Sequence, residues 1–177
     1  RNAAMAISAA HFYGVAMPVI QKAVASFQGV QRRQELRGEV RGIKVIDDFG
    51  HHPTAIRQTL AGLRLQYPGG RLWAIFEPRS NTTRRAVFQK ELPEAFEKAD
   101  GVILAKVAKL EQIPEAERLN PEKVVEAIAA TGKPAYYEPT VNDIIRRLKP
   151  LAREGDAVVI FSNGGFDGIH AKLLASL

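Results

Sequence analysis

Short apolar runs alternate with amphipathic stretches along most of this chain. The apolar runs and their bordering turn residues predict strands over 35–40, 43–47, 72–76, 101–105, 134–137 and 156–161. Apolar residues at helical spacing predict helices over 53–65, 83–98 (interrupted near Pro93), 121–130, 141–148 and 166–177. Strands alternating with helices in this way are typical of βαβ units. We therefore predict an α/β fold, a Rossmann-like, mostly parallel sheet flanked by helices, with one antiparallel edge strand from an N-terminal hairpin.

The first 28 residues have a different pattern. They predict two helices separated by a break at Gly14 and Pro18, and they contain no strand. Such a stretch cannot close a core alone, so we expect residues 1–28 to be the helical tail of a preceding domain. Residues 29–34 are polar and predict a linker, and residues 35–177 form the second domain. The chain does not begin with Met, so we expect it to start within a longer protein.

Three polar loops follow predicted strands directly, at residues 47–54, 77–85 and 162–170. Loops of this kind gather at the carboxyl edge of a parallel sheet, where ligands bind in α/β proteins. The three loops together carry carboxylates, imidazoles, guanidiniums and glycine backbone. This set of groups favours a phosphorylated or carboxylated substrate.

The first loop contains two acids and two imidazoles, at Asp47, Asp48, His51 and His52. A carboxylate just past a strand can accept both hydrogen bonds of a ribose diol, and an imidazole near a helix start can meet a phosphate. The alternative is that Asp47 only caps the loop and that His52 packs. We expect no metal here, because adjacent histidines point apart.

In the second loop, Pro78 ends the strand sharply and leaves Arg79, Ser80 and Asn81 at the sheet edge. A guanidinium there can hold a carboxylate or phosphate through two bonds. Arg84 and Arg85 fall in the first turn of the predicted helix, where positive charge opposes the helix dipole, so the pattern indicates a bound anion. The alternative is a solvated basic helix end.

The third loop contains Gly164 and Gly165, which allow a ligand to approach the backbone closely or simply form a tight turn. The chain has no Gly-x-x-x-x-Gly-Lys-Ser/Thr loop for a triphosphate and no Gly-x-Ser-x-Gly nucleophile elbow. It also lacks cysteine, which excludes disulfides and thiolate metal sites within these residues. The sequence therefore offers no candidate for covalent catalysis.

Composition narrows the list of partners. The net charge of +6 favours an anionic ligand, but the basic residues are scattered and only 7% of residues are aromatic, which argues against a nucleic-acid partner. No apolar run approaches the roughly 20 residues of a membrane span, and the first residues lack the layout of a signal peptide. We expect a cytoplasmic protein that binds a small polyanion, without nucleic-acid or membrane partners.

Residues 47–54 (Asp-Asp-Phe-Gly-His-His-Pro-Thr) resemble the signature that opens the C-terminal domain of Mur ligases. Residues 76–82 and 162–166 resemble the branch of this family that joins UDP-N-acetylmuramate to the tripeptide L-alanyl-γ-D-glutamyl-meso-diaminopimelate during peptidoglycan recycling. The branch that adds L-alanine to UDP-N-acetylmuramate shares the first loop, but its second loop would be expected to read Pro-His-Arg-Tyr. A nucleotide- or anion-binding module without chemistry is the remaining alternative.

The resemblance implies an ATP-dependent ligase in which a carboxylate is phosphorylated and an amine then attacks the acyl phosphate. ATP and Mg²⁺ would be held mainly by a central domain upstream, so this chain alone is expected to be inactive and to work with the central and N-terminal domains of the same protein. Residues 2–7 resemble the helix that closes that central domain. By this resemblance Asn2 would contact the adenine, Asp48 the ribose and His51 the phosphate region.

The resemblance also implies that Arg79, Ser80 and Asn81 lie where the acyl phosphate meets the amine. The catalytic candidates are therefore Arg79 and His51. The further substrate-binding candidates are Arg84, Lys106, Asn163 and Gly164. The chain departs from the family pattern at two positions: Gly50 replaces an Ala, which is expected only to loosen its loop, and Asp167 replaces a Gly.

Overall fold

A computed structural model describes residues 2–27 and 29–177, and residue contacts divide the chain into two compact units, Arg1–Gln31 and Arg32–Leu177. The first unit contains α1 (Asn2–Phe12) and α2 (Met17–Ala25). None of the α1 residues is buried, and Ile20 is buried in α2. Two helices with a break between them confirm the predicted pattern, while their assignment to a preceding domain stays a prediction.

The second unit is built on six strands. They are β1 (Glu35–Val40), β2 (Ile43–Asp48), β3 (Leu72–Phe76), β4 (Gly101–Ala105), β5 (Ala135–Glu138) and β6 (Ala157–Phe161). The strand order is β1-β2-β6-β3-β4-β5, with β1 antiparallel to β2 and every other pair parallel. This confirms the predicted α/β fold with its antiparallel edge strand.

Five α-helices complete this unit. They are α3 (Pro53–Gln66), α4 (Glu91–Ala95), α5 (Pro121–Ala129), α6 (Val141–Leu148) and α7 (Ile169–Ser176). The side chains of His52, Asn120 and Thr140 accept backbone N–H bonds at the starts of α3, α5 and α6. These caps satisfy N–H groups that a helix start leaves without partners, which explains why the helices begin there.

The apolar core lies on both faces of the sheet. One face packs residues of α3, α4 and α5, among them Leu60, Leu92 and Val124, and the other packs residues of α6 and α7, among them Ile144 and Leu173. Every residue of β3, β4 and β6 is buried. Strands covered on both faces are continuously apolar, which is why the sequence predicted them well.

The predicted helix over 83–98 is wrong. The backbone of Arg85 is extended and bridges to Arg118, a 3-10 turn spans Ala86–Phe88, and α4 begins only at Glu91. Pro93 is tolerated only within the first turn of a helix, so α4 cannot begin much earlier. The preceding backbone instead bonds to the segment before α5, because the amide of Leu119 donates to the carbonyl of Arg84. Arg84 and Arg85 therefore do not oppose a helix dipole.

One further boundary differs from the prediction. The last helix begins at Ile169 rather than at 166, because Phe166, Asp167 and Gly168 have φ of 42°, 48° and 65°, in the left-handed region. The division between the two units falls between Gln31 and Arg32, within the predicted linker 29–34, and the bounds of the linker and of the domains stay a prediction. Among the described residues, no helix combines the length and apolarity needed to cross a membrane.

Two adjacent glycines before β3 provide a test of the sheet packing. A Cβ on Gly70 would collide with the carbonyl oxygen of Gly155, whereas a Cβ on Gly69 would meet open space. We expect Gly70→Ala to lower the free energy of unfolding by about 1–3 kcal/mol, because this contact cannot relax without moving backbone. Gly69→Ala is the control and should stay near the wild type in urea denaturation of the 177-residue chain. Equal stability of the two variants would contradict the packing described here.

Candidate functional site

The three polar loops begin side by side at the carboxyl edge of the sheet. Asp48 at the end of β2 pairs with Phe161 at the end of β6, and Phe161 also pairs with Phe76 at the end of β3. The third loop therefore lies between the first and second. This confirms the prediction that the loops converge at one edge.

The carboxylate of Asp48 is buried beneath the first loop rather than presented at its surface. It accepts hydrogen bonds from the backbone amides of Gly50 (2.7 Å) and Gln34 (3.0 Å) and a longer one from the Thr59 hydroxyl (3.4 Å). Burial raises its pKa, and the two amide bonds, the charge of Arg33 and the Thr59 bond offset part of that rise. A contact between Asp48 and a ribose stays a prediction. It would require the carboxylate to give up some of these protein hydrogen bonds for bonds to the ribose hydroxyls.

The two imidazoles of the first loop differ in role. Nδ1 of His52 accepts the amide of Thr54 and its ring packs edge-on against Phe88, so His52 caps α3 and packs. Nδ1 of His51 lies 3.1 Å from the carbonyl oxygen of Phe49. Since a carbonyl only accepts, Nδ1 of His51 carries the proton and Nε2 is left for another partner. The half-buried His51 is thus the imidazole available to a ligand.

Asp47 is buried between two basic groups. Nε of Arg32 lies 3.2 Å from one carboxylate oxygen and Nε2 of His170 lies 3.4 Å from the other. Burial acts to raise the pKa of Asp47, but His170 and Arg32 together outweigh burial and lower it. Asp47 therefore binds the Arg32 guanidinium and lies beside the start of α7, which is more than the local cap considered from the sequence.

The second and third loops are joined by Glu77. Its carboxylate accepts a 2.5 Å bond from the buried hydroxyl of Ser162, and its other oxygen lies 3.7 Å from the guanidinium of Arg79. A Cβ built on Gly164 would come within 2.6 Å of Cδ and Nε of Arg79. The half-exposed side chain of Arg79 thus lies directly on the bare Cα of Gly164. The structure brings these two predicted site residues together.

Ser80, Asn81 and Arg84 form a separate turn. The Ser80 hydroxyl accepts the amide of Thr83, and the Asn81 side chain accepts a 2.6 Å bond from the guanidinium of Arg84. That guanidinium also donates to the carbonyl of Lys109 and the side chain of Gln112. Because Arg84 is engaged by three protein acceptors, the structure gives it a role in joining two loops, and substrate contact by Arg84 stays a prediction.

The remaining predicted residues lie in three places. Lys106 is exposed just past β4 and has no hydrogen bond or ion pair to the rest of the described chain. Asn163 is half-buried in the third loop, and its Oδ1 is buried without a partner among the described residues. Asn2 lies in the first unit, at the start of α1. Any role for Asn2 in the site therefore stays a prediction.

Asp167 adopts a left-handed conformation with φ of 48°. This conformation favours glycine, and Asp is among the residues that tolerate it best. Its carboxylate accepts a 2.6 Å bond from Lys172, one turn into α7. The departure from the family pattern at this position therefore keeps the left-handed turn and adds an ion pair.

Sequence reasoning missed three residues of this edge. Glu77 and Arg32 are the groups that bond loops to one another, and the exposed guanidinium of Arg33 lies 5.7 Å from the ring centre of Phe49. The Arg32-Arg33 doublet was visible, but it was assigned to a polar linker. No group of three or more His, Cys, Asp or Glu within 2–27 and 29–177 is arranged to hold a metal ion.

Comparison with known proteins agrees with this geometry. The family model described as "Mur ligase, glutamate ligase domain" matches residues 32–164. A UDP-N-acetylmuramate–L-alanyl-gamma-D-glutamyl-meso-2,6-diaminoheptandioate ligase of Escherichia coli (strain K12) is 41% identical over 177 residues, 99% of this chain and 36% of the relative. A UDP-N-acetylmuramate–L-alanine ligase of Trichormus variabilis is 35% identical over 177 residues, 99% of this chain and 35% of the relative.

A solved structure shows the same relationship. The murein peptide ligase from Psychrobacter arcticus matches with a TM-score of 0.73 and 40% identity, over 99% of this chain and 36% of that one. The chain thus spans little more than a third of the length of these relatives. By its fold, its converging loops and these matches, the chain belongs to the Mur ligase family and carries its glutamate ligase domain.

Proposed function

We propose that this chain is the C-terminal part of an ATP-dependent ligase that joins UDP-N-acetylmuramate to L-alanyl-γ-D-glutamyl-meso-diaminopimelate in cytoplasmic peptidoglycan recycling. The observation that carries the proposal is the contact of Arg79 with Gly164. This contact joins the second and third loops, whose sequences resemble those of the family branch that uses the tripeptide. The 41% identity to an Escherichia coli enzyme named for this reaction supports it. The central and N-terminal domains of the same protein are the partners.

The groups exposed at the edge fit an anionic ligand. His51 has a free ring nitrogen, and Arg33, Arg79 and Lys106 expose cationic side chains. ATP, with Mg²⁺, would supply the phosphoryl group that activates the muramate carboxylate. We assign the phosphate region to His51 and the adenine to Asn2, and we assign no Mg²⁺ ligand to the described residues.

Arg79 is the residue best suited to the chemistry. Its guanidinium lies close to Gly164 and 3.7 Å from the Glu77 carboxylate, and it remains half-exposed. From there it would hold the tripeptide carboxylate or stabilise charge that develops as the amine attacks. Ser80, Asn81, Lys106 and Asn163 are the proposed contacts of the remaining substrate.

Ligation of L-alanine is the second candidate function. It is favoured by the 35% identity, across nearly the whole chain, to an enzyme named for that reaction. A binding module without chemistry is the third candidate. The tripeptide ligase and the L-alanine ligase share the first loop and differ in the amine that attacks. An experiment that varies the amine substrate therefore distinguishes them.

We expect the full-length protein to consume ATP when UDP-N-acetylmuramate and the tripeptide are both present, with a kcat/KM for the tripeptide at least about a hundred-fold above that for L-alanine. Phosphate release and mass spectrometry of the product would measure this. The 177-residue chain is the control and should release no phosphate. Preference for L-alanine would establish the L-alanine ligase as the function. The absence of any amide product would favour a binding module without chemistry.

Arg79→Lys in the full-length protein should lower kcat by about a hundred-fold, because a lysine cannot reproduce the two-pronged contact. Gly164→Ala should produce a similar defect, since its methyl group would displace the Arg79 side chain. Steady-state kinetics against the tripeptide would measure both. Wild-type kcat and KM in Arg79→Lys would show that Arg79 is only a surface charge.

Gly165→Ala separates two explanations of a Gly164→Ala defect. A Cβ on Gly165 would meet open space in the structure. If Gly164 acts by seating Arg79, Gly165→Ala should keep kcat within about two-fold of the wild type. A comparable loss in both variants would mean that a ligand approaches the backbone of the glycine pair directly.

Asp48→Asn should lower the free energy of unfolding by about 1–3 kcal/mol, because one of the two amides bound by the carboxylate would lose its acceptor. In the full-length protein it should also raise KM for ATP about ten-fold, and more than KM for the tripeptide. Thr59→Val, which removes only the longest contact of Asp48, is the control. Loss of stability with an unchanged KM for ATP would make Asp48 purely structural.

A further inference from the structure

The guanidinium of Arg32 connects the first and third loops at three points. Its Nε bonds the buried carboxylate of Asp47 (3.2 Å), and its Nη2 donates to the carbonyls of Ser162 (2.7 Å) and Gly164 (2.9 Å). The charge of the guanidinium is thus shared between a buried acid and two backbone dipoles. Such charge-assisted bonds are shorter and stronger than neutral ones.

The backbone of Arg32 is fixed as firmly as its side chain. Its φ is 57°, in the left-handed region, and its amide donates to the side chain of Glu35 (2.8 Å). Its carbonyl accepts the amide of Phe49 (2.7 Å), and its guanidinium stacks 5.2 Å from the centre of the Phe49 ring. A residue held at both ends in a strained conformation indicates a constraint imposed by its surroundings.

The third loop needs such an anchor. Phe166 and Asp167 are two successive non-glycine residues with left-handed φ, a conformation that costs free energy at each. Arg32 holds the start of this loop at Ser162 and Gly164, and Asp47, which Arg32 contacts, lies 3.4 Å from His170 at the far end of the loop. Gly164 is the residue on which the Arg79 side chain lies.

We propose that Arg32 is a positioning residue: it fixes the third loop against the first, so that Gly164 presents the Arg79 guanidinium at the sheet edge. Arg32 itself faces protein groups and acts through Arg79. The consequence for catalysis rests on the role of Arg79 in the proposed function, while the link from Arg32 to Gly164 rests on the structure alone.

The chain contains a matched control at Arg71. The guanidinium of Arg71 bonds the buried carboxylate of Asp156 and the carbonyl of Leu151, and it stacks 5.9 Å from the Trp73 ring. Its side chain is 34% exposed against 30% for Arg32, and both acids are 3% exposed. Arg71 precedes β3, at the opposite edge of the sheet from the three loops. It therefore tests loss of an equivalent network without disturbing the site.

The kinetic test compares Arg32→Lys with Arg71→Lys in the full-length protein. An ammonium cannot span Asp47 and both carbonyls in one plane. We expect Arg32→Lys to lower kcat about ten- to a hundred-fold, the effect of misplacing a reacting group by about an ångström, and Arg71→Lys to leave kcat within about two-fold. In Arg79→Lys protein, adding Arg32→Lys should cause little further loss. Equal kcat in the two single variants, or full additivity with Arg79→Lys, would overturn the proposal.

A second measurement keeps the proposal testable if the proposed function fails. Amide hydrogen exchange in the 177-residue chain reports the order of the third loop without any substrate. Arg32→Lys should speed exchange of the Gly164 amide, which donates to the Ser162 hydroxyl (2.9 Å), at least about ten-fold relative to Arg71→Lys at matched global stability. Unchanged exchange would overturn the link from Arg32 to the loop, whereas faster exchange in a protein without ligase activity would reject only the proposed function.

Discussion

The site depends on the insertion of the last strand into the middle of the sheet. β6 pairs with β2 on one side and with β3 on the other, although these strands lie more than 80 residues earlier in the chain. Parallel pairing brings the carboxyl ends of all three strands to one edge, and with them the loops that follow. Every contact between the loops, from Glu77 with Ser162 to Arg32 with Gly164, follows from this pairing.

Beneath the exposed groups lies a layer of buried acids. Asp47, Asp48 and Glu77 stand at or just after the ends of β2 and β3, and each accepts bonds from groups of other segments. Buried carboxylates are costly unless they are satisfied, so each one fixes the segment that donates to it. The acids hold the loops together, and Arg33, His51, Arg79 and Lys106 are the groups proposed to face a ligand.

The comparisons and the structure support different parts of the interpretation. The family is established by the match over residues 32–164, and the architecture by the sheet itself. The chain spans 36% of its Escherichia coli relative, so the reaction of the whole protein remains a proposal. The contact of Arg79 with Gly164 supports the proposed reaction, because it joins the second and third loops, whose sequences suggested the substrate.

The sequence by itself determined the strands, most helices and the residues of the three loops. Buried parallel strands are apolar runs, and the helix starts carry local signals at Pro53, Asn120 and Thr140. It failed over residues 83–98, where bonds to a segment more than 30 residues away replaced a locally plausible helix. Only the tertiary structure decided that Asp48 points inward, that Arg84 joins two loops and that Arg32 anchors the third. These roles depend on partners that are distant in sequence, and a local pattern carries no information about which distant group will meet a given side chain.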